Sequence, residues 1–345
     1  MTQSEKPVLA LAMGDPAGVG PELTAKALAD PEIRAAADYV VFGDRRVLEM
    51  GARHAHVDPI IEMVTEDKLA DGAVDSSGTV FVDLAHFDPA GLELGVVSEA
   101  GGASAIANFK KAIAIAASGQ AGAVTFTPFN KAAMRLAHPA YEDEVVFLNE
   151  VLGFDGKASE FNILPGLWNA RVTSHVPISG VAELITRAAV FESLKLTHDN
   201  LRAAGFESPR IAVAALNPHA GDGGNFGSED SHEIAPAVAD GKAAGLACDG
   251  PFPSDTVFVR AQRGDFDAVL TMYHDQGQIA MKLIGFDAGV TLLGGYPFPI
   301  CTPAHGTAYD IAGEGIADLG ATKNALLLAA KMAPPPETAT KRTAA

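Results

Sequence analysis

Three histidines stand at or just beyond the carboxyl ends of expected strands: His175 in Thr173-Ser174-His175-Val176-Pro177, His219 in Leu216-Asn217-Pro218-His219-Ala220-Gly221, and His274 in Met272-Tyr273-His274-Asp275-Gln276-Gly277. In open α/β sheets that end of the strands lines the ligand crevice. Neutral imidazoles converging there would hold one divalent metal and leave positions open for substrate. A lone histidine so placed is more often a structural hydrogen-bonder; it is the shared position of three that points to a metal. Around His219 the run Asn217–Asp230, NPHAGDGGNFGSED, is polar and rich in glycine, and it reads as a binding loop. Asp255 and Asp275 are carboxylates placed to tune a metal or take a proton, or else to cap the helices that follow them. Lys282 sits among Ala280, Met281 and Leu283, where desolvation would favour the neutral amine of a base, with a snorkelling surface lysine as the alternative. His54, His56 and His198 lie in charged helical stretches and read as solvated.

The elements that must position these groups are those of an α/β protein, with short apolar runs alternating with segments of helical period. Val8–Met13, Tyr39–Phe42, Val80–Leu84 and Ala123–Phe126 read as strands on a largely parallel sheet, with helices Pro21–Ala29, Arg45–Ala52 and Ala103–Ser118 between them. After Lys131 the pattern restarts, with strands Phe161–Leu164, Arg171–Ser174, Ile211–Leu216 and Ala268–Tyr273 and one long helical stretch from Val181 to about Ala204. That restart points to a second domain. A helix Thr322–Lys331 precedes a tail, APPPETATKRTAA, expected without fixed structure. Between the first strand and the first helix stands Met13-Gly14-Asp15-Pro16-Ala17-Gly18-Val19-Gly20-Pro21-Glu22. Its glycines are not spaced G-x-G-x-x-G and no G-K-[ST] follows, so a tight strand-to-helix turn is favoured over a Rossmann or P-loop phosphate site. Asp15 there is a substrate contact or the closer of an Asx turn.

At 345 residues the chain has room for about two domains of roughly 150 residues each. The formal net charge of −18 repels nucleic-acid backbones and anionic lipid alike. Two cysteines in turn-rich surroundings, Cys248 and Cys301, make neither a disulfide framework nor a CxxC metal site, and fit a reducing cytoplasm. The N-terminal apolar run is too short for a signal peptide, and no stretch is long enough for a membrane span.

Taken together, MGDPAGVGPE (13–22), TPFNK (127–131), TSHVP (173–177), LNPHAGDGGNFGSED (216–230), GPFPSDT (250–256), YHDQGQIAMK (273–282) and HGTAYDIAGEGIAD (305–318) resemble the 4-hydroxythreonine-4-phosphate dehydrogenase family of pyridoxine biosynthesis. The last run is also similar to the HG[ST]AxDIAG segment of isopropylmalate and isocitrate dehydrogenases. The resemblance implies two α/β/α domains flanking a cleft, isopropylmalate-dehydrogenase-like and not Rossmann. Residues 1–130 with 295–345 would form the cofactor side, and 131–294 the metal, substrate and dimerisation side. It also implies a homodimer whose subunits share the active site, while the charge already argues against a nucleic-acid or membrane partner. The resemblance makes His175, His219 and His274 ligands of a divalent ion (Zn, Mg, Co or Mn) and Lys282 a substrate lysine, beside which Asp255 and Asp275 are, by their own placement, the candidate catalytic carboxylates. It places Asn217, Gly306, Thr307 and Asp310 at NAD, or at NADP as the alternative. The reaction implied is oxidation of a secondary alcohol of a hydroxy acid, followed by decarboxylation of the β-keto acid.

The substrate positions depart from the family. Where the biosynthetic enzymes carry Gly-His-Thr-Glu this chain has Glu142-Asp143-Glu144-Val145, and the family's substrate-contacting Asn and Arg align with Thr291 and Ile300. Asp143 and Glu144 would repel a phosphate ester, and no arginine remains at 300 to grip one. The expectation is therefore a substrate that is not phosphorylated. The alternatives are the biosynthetic activity itself, a cis-dihydrodiol carboxylate dehydrogenase of aromatic catabolism, or a silent metabolite-binding homologue.

Overall fold

The structure, a computed structural model, describes residues 6–59, 61–70, 78–285 and 288–334. It divides into two compact units, Met1–Lys157 with Tyr296–Ala345, and Ala158–Gly295. The first unit begins β1 (Val8–Ala12), α1 (Gly20–Ala29), α2 (Pro31–Ala36), β2 (Asp38–Gly43), α3 (Arg45–Ala55), β3 (Glu62–Val64), α4 (Glu66–Ala70) and β4 (Val80–Asp83). It continues through α5 (Glu99–Ala117), β5 (Ala123–Phe126), α6 (Lys131–Ala137) and α7 (Glu144–Leu152). The second unit holds β6 (Ser159–Leu164), β7 (Leu167–Arg171), α8 (Val181–Leu184), α9 (Arg187–Ala203), β8 (Ile211–Ala214) and α10 (Ala235–Ala243). Its remainder is β9 (Cys248–Phe252), α11 (Ser254–Gln262), β10 (Ala268–Thr271), α12 (His274–Gly285) and β11 (Val290–Gly294). The chain then returns to the first unit as β12 (Ile300–Pro303) and α13 (Gly320–Met332).

In the first unit the strands run in the order β3-β4-β2-β1-β5-β12, every pair parallel. A parallel sheet is covered on both faces, which is why VLALA is an unbroken apolar run and AVTF is buried throughout, its one hydroxyl, on Thr125, bonded to the Ala10 carbonyl. Asn108, buried in α5, donates to the Met13 carbonyl at 2.8 Å and fixes that helix against the end of β1. Phe109 stacks on Phe147 of α7 at 5.6 Å between centroids, and Phe126 stacks on Phe129 at 4.3 Å. This aromatic cluster draws α6 and α7 into the first unit, so the boundary lies after Lys157 and not after residue 130.

In the second unit the strands run β11-β6-β7-β10-β8-β9. The first three pair antiparallel, with Gly166 turning β6 into β7, and the rest pair parallel. Two expected elements shift. The strand expected at Arg171–Ser174 is β7, Leu167–Arg171, and the residues beyond it form the loop that carries His175. The stretch from Val181 to Ala204 is two helices, because Thr186 turns extended and caps α9 by accepting from the Ala189 amide at 3.2 Å. Pro335 onward, most of the expected unstructured tail, lies outside the described residues.

Candidate functional site

The second unit brings two of the three expected metal histidines together. His175 follows β7 and His274 opens α12, and their rings stand 5.7 Å apart between centroids, tilted by 44°. Two imidazoles on one tetrahedral ion have centroids about 5 Å apart, given Zn–N near 2.0 Å. Asp275 Oδ1 lies 2.7 Å from His274 Nδ1. A carboxylate only accepts, so Nδ1 donates and Nε2 is left as the lone-pair donor a metal needs. This pair fits a borderline divalent ion. Among the described residues of one chain, no three His, Cys, Asp or Glu side chains form a metal-holding group, so His219 does not complete the pair into a three-ligand site there.

The backbone around these histidines is strained. His175 has φ +52°, and the segment His219–Gly223 runs five residues with φ between +43° and +81°, including the non-glycine residues His219, Ala220 and Asp222. Left-handed backbone costs an L-residue roughly 1–2 kcal/mol. Strain of this kind persists only where surroundings over-determine it, and it gathers at functional sites. Here the surroundings are identifiable. Asp230, 1 % exposed, accepts from the Leu216 amide at 2.8 Å, the Asn217 amide at 3.1 Å and Asn217 Nδ2 at 2.9 Å, clasping the two ends of the loop. Asn217 Nδ2 also donates to Glu229 at 2.8 Å. Backbone amides, together with that bond, hold the Glu229 carboxyl below its usual range. Asn217, expected at the cofactor, therefore commits its amide nitrogen to the loop.

Gln276 joins the strand ends, accepting from the Met272 amide at 2.7 Å and donating to the Ala215 carbonyl at 2.8 Å. Arg171, 2 % exposed, reaches the His175 loop through Nε to Ser174 Oγ at 3.1 Å. It reaches α12 through Nη1 to Asn162 Oδ1 at 2.7 Å, an oxygen that Gln278 also donates to at 2.8 Å, and Glu160 balances its charge at 2.8 Å. Arg171, Asp230 and Gln276 were not expected from the sequence. A lone arginine in an apolar strand and an acid closing a glycine loop are the signals that mark the first two.

Other expected residues divide. Along α12 His274, Gln278 and Lys282 fall at i, i+4 and i+8 on one stripe. Lys282 is exposed, beside Leu283 at 84 % and Ile279 at 61 % exposure, so the desolvation expected from its apolar neighbours is absent within one chain. Asp255 lies in the first turn of α11, exposed, and makes no capping bond, since the cap position is Pro253. Thr291, half-buried in β11, pairs in register with Asn162. His198 is half-buried in α9, not solvated.

In the first unit the two acidic departures are compensated. Asp143 is the N-cap of α7, accepting from the Val146 amide at 2.9 Å, and Glu144 pairs with Lys131 at 2.9 Å. Each acid thus has a partner that lowers the repulsion of phosphate expected from it. Ile300 is fully buried in β12, opposite Val124 of β5. It is core, not pocket, and its comparison with a substrate-gripping arginine does not hold.

The segment His305–Ala317 carries the expected cofactor residues. Gly306 is exposed, and a Cβ built there would meet no atom within 4 Å, so its bare backbone is open to close approach. Thr307 is buried, Ala308 is left-handed at φ +42°, and Asp310 is exposed in a 3₁₀ turn. Asp15, 1 % exposed, closes an Asx turn with the Ala17 amide at 2.9 Å and accepts from the Tyr309 hydroxyl at 2.7 Å. Burial raises the Asp15 carboxyl above its usual range despite both bonds, and raises the Tyr309 hydroxyl as well.

Residues 35–329 match the family described as pyridoxal phosphate biosynthetic protein PdxA. A Rhizobium meliloti protein provisionally named 4-hydroxythreonine-4-phosphate dehydrogenase 2 is 57 % identical over 335 residues, covering 96 % of this chain and 95 % of that protein. The D-threonate 4-phosphate dehydrogenase of Cupriavidus necator is 36 % identical over 332 residues, covering 95 % of this chain and 97 % of that protein. Among solved structures, the 4-hydroxythreonine-4-phosphate dehydrogenase of Klebsiella pneumoniae superposes with a TM-score of 0.80 at 34 % identity, covering 96 % of this chain and 99 % of that one.

Proposed function

This chain belongs to the PdxA family of dehydrogenases, and we propose that it oxidises the secondary alcohol of a phosphorylated four-carbon hydroxy acid with NAD, in a divalent-metal-dependent reaction completed by loss of CO₂. The observation that carries the metal reading is the His175–His274 pair, with Asp275 fixing one ring so that its Nε2 is the donor. When bound, a divalent ion supplies the Lewis-acid charge that lowers the pKa of a hydroxyl and draws electrons from a carboxylate losing CO₂. The chain's own part is orientation. Arg171, Gln276 and Asp230 hold the three histidine-bearing loops, and Lys282 on the His274 stripe offers an ammonium to an anionic substrate. The open backbone at Gly306, with Thr307 and Asp310, supports the dinucleotide reading.

Phosphate is favoured for two reasons. The acids expected to repel it are capped and paired, and the names of the relatives above carry a 4-phosphate. The experiment is NADH formation over a panel of hydroxy acids with and without a terminal phosphate. We expect kcat/KM for 4-hydroxythreonine 4-phosphate or D-threonate 4-phosphate to exceed that of the dephosphorylated acid by tenfold or more, since a charge-assisted contact of about 1.4 kcal/mol already gives that factor. Equal or better turnover of an unphosphorylated acid or a cis-dihydrodiol carboxylate would return the substrate to the non-phosphorylated class.

A homodimer with a shared site completes the proposal. His219 completes no three-ligand group with the other two histidines within one chain, and large apolar side chains near the candidate ligands in sequence are exposed on the second unit: Ile178, Phe226, Ile279 and Leu283. Exposed apolar side chains of this size support the reading of an interface. Lys282 lies about 12 Å along the helix axis from His274, so the two residues serve one site more readily from opposite subunits. Mixing a His274→Ala protein with a Lys282→Ala protein and letting subunits exchange is then expected to restore activity in the heterodimer. Failure to complement would place both residues at one site in the same chain. The reducing cytoplasm belongs to the same proposal, supported by two buried free thiols, Cys248 and Cys301. No described helix is long and apolar enough to cross a membrane.

A further inference from the structure

The turn Met13–Glu22 fits no phosphate fingerprint, yet beyond its bonds to Phe42, Gly95, Thr127 and Pro128 it is tied repeatedly to the segment His305–Ala317. The Val19 amide donates to the Thr307 carbonyl at 3.0 Å. Gly18 permits the approach, for a Cβ there would stand 2.7 Å from that carbonyl oxygen. Glu22 Oε1 accepts from the Ala317 amide at 2.8 Å, and Lys26 Nζ donates to the carbonyls of Gly315 at 3.0 Å and Ala317 at 2.7 Å. The remaining tie is between side chains, the Tyr309 hydroxyl to Asp15 Oδ2 at 2.7 Å.

These ties bracket a weak point. Ala308 is left-handed, and beyond it the segment forms only a three-residue 3₁₀ turn, held by the Ile311 amide on the Ala308 carbonyl at 3.2 Å and the longer Ala312 amide on the Tyr309 carbonyl at 3.4 Å. The pins fall on either side of Ala308, at Thr307 and Tyr309. Asp15 itself is closed to substrate, being 1 % exposed with one oxygen on Ala17 and the other on Tyr309.

We propose that the Asp15–Tyr309 hydrogen bond is a positioning lock that holds the segment 305–312 in the conformation that binds the dinucleotide, so that it sets cofactor affinity without touching a reacting atom. The proposal rests on the dinucleotide reading of that segment. Binding to a loop that is only fractionally in its competent shape is weakened by that fraction, and Ala308 relaxes toward right-handed backbone once a neighbouring pin is cut.

The test compares Tyr309→Phe, Asp15→Asn and the double variant with the wild type. The readouts are NAD⁺ and NADH affinity by titration calorimetry, KM and kcat, divalent-metal affinity, and the melting temperature without ligand. Tyr309→Phe is expected to raise the Kd and KM for NAD about tenfold. It should change kcat less than about twofold and leave metal affinity unaltered. The double variant should bind no more weakly than the worse single one, as residues of a single contact do. Variants that melt lower but bind NAD as the wild type does would make the pair a structural support and overturn the lock. Wild-type protein that binds neither NAD nor NADP would instead overturn the dinucleotide reading, and the lock with it.

Discussion

On the proposed metal site, His274→Ala protein is expected to emerge from purification and dialysis without a divalent ion and to form no NADH, while melting close to the wild type. The expectation combines position and exposure. His274 opens α12 with its side chain 39 % exposed, so truncation removes little packing and leaves no cavity. What it does remove is the imidazole whose Nε2 is aimed by Asp275. Loss of an outer partner alone costs about 10–100-fold in metal affinity, and loss of the ligand itself leaves a position that water fills weakly. Asp275→Asn is the graded companion. It keeps the ring but loses the charge that fixes its tautomer, and its metal affinity should fall by about tenfold. Metal content by mass spectrometry, alongside NADH formation and a thermal melt, reads all three quantities. Full metal occupancy in His274→Ala would remove this residue from the ligand set.

Ile300→Arg, the substitution that restores the family's arginine on paper, unfolds the first unit. Ile300 is fully buried in β12 against β5, with no acid opposite it; its partner in register is Val124. An unpaired buried cation carries an effective penalty of several kcal/mol, out of a total stability of about 5–15 kcal/mol for a domain. Ile300→Val should cost only about 0.5–1.5 kcal/mol and is the control that separates lost volume from added charge. Expression in the insoluble fraction, or a melt lowered by more than ten degrees, is the expected result. A soluble Ile300→Arg protein with wild-type melting and altered substrate preference would place residue 300 in the pocket after all.

The first unit was legible because its parallel strands are continuous apolar runs with helices of clear period between them. Val8–Ala12, Asp38–Gly43 and Ala123–Phe126 all lie where the apolar runs put them. The antiparallel corner of the second unit was not. β6 and β7 are joined by a turn too short to register as a break, so polarity near His175 drew the expected strand toward Ser174, past its true end at Arg171. The histidines were identifiable by their place after strands, but the groups that hold them act at distances the sequence hides. Asp230 serves Leu216 and Asn217 from 14 and 13 residues away, and Gln276 reaches Ala215 across 61. Ile300 shows the reverse error, since matching positions against a family says nothing about which face of a strand a residue occupies. Asp143 and Glu144 carry charges that read as bare in the sequence but have a helix end and a lysine for company in the fold.

The split of the first unit has a consequence for synthesis on the ribosome. β5 finds its outer partner only in β12, whose first residue, Ile300, pairs with Val124 across the whole intervening unit. Ala158–Gly295 is one uninterrupted segment and can close as soon as it emerges. The nascent first unit must wait meanwhile with an open sheet edge. At translation rates of about 5–20 residues per second that wait is on the order of ten to thirty seconds. During it the edge of β5, apolar and unpaired, is the surface on which a growing chain would meet either a chaperone or its neighbours on the same message.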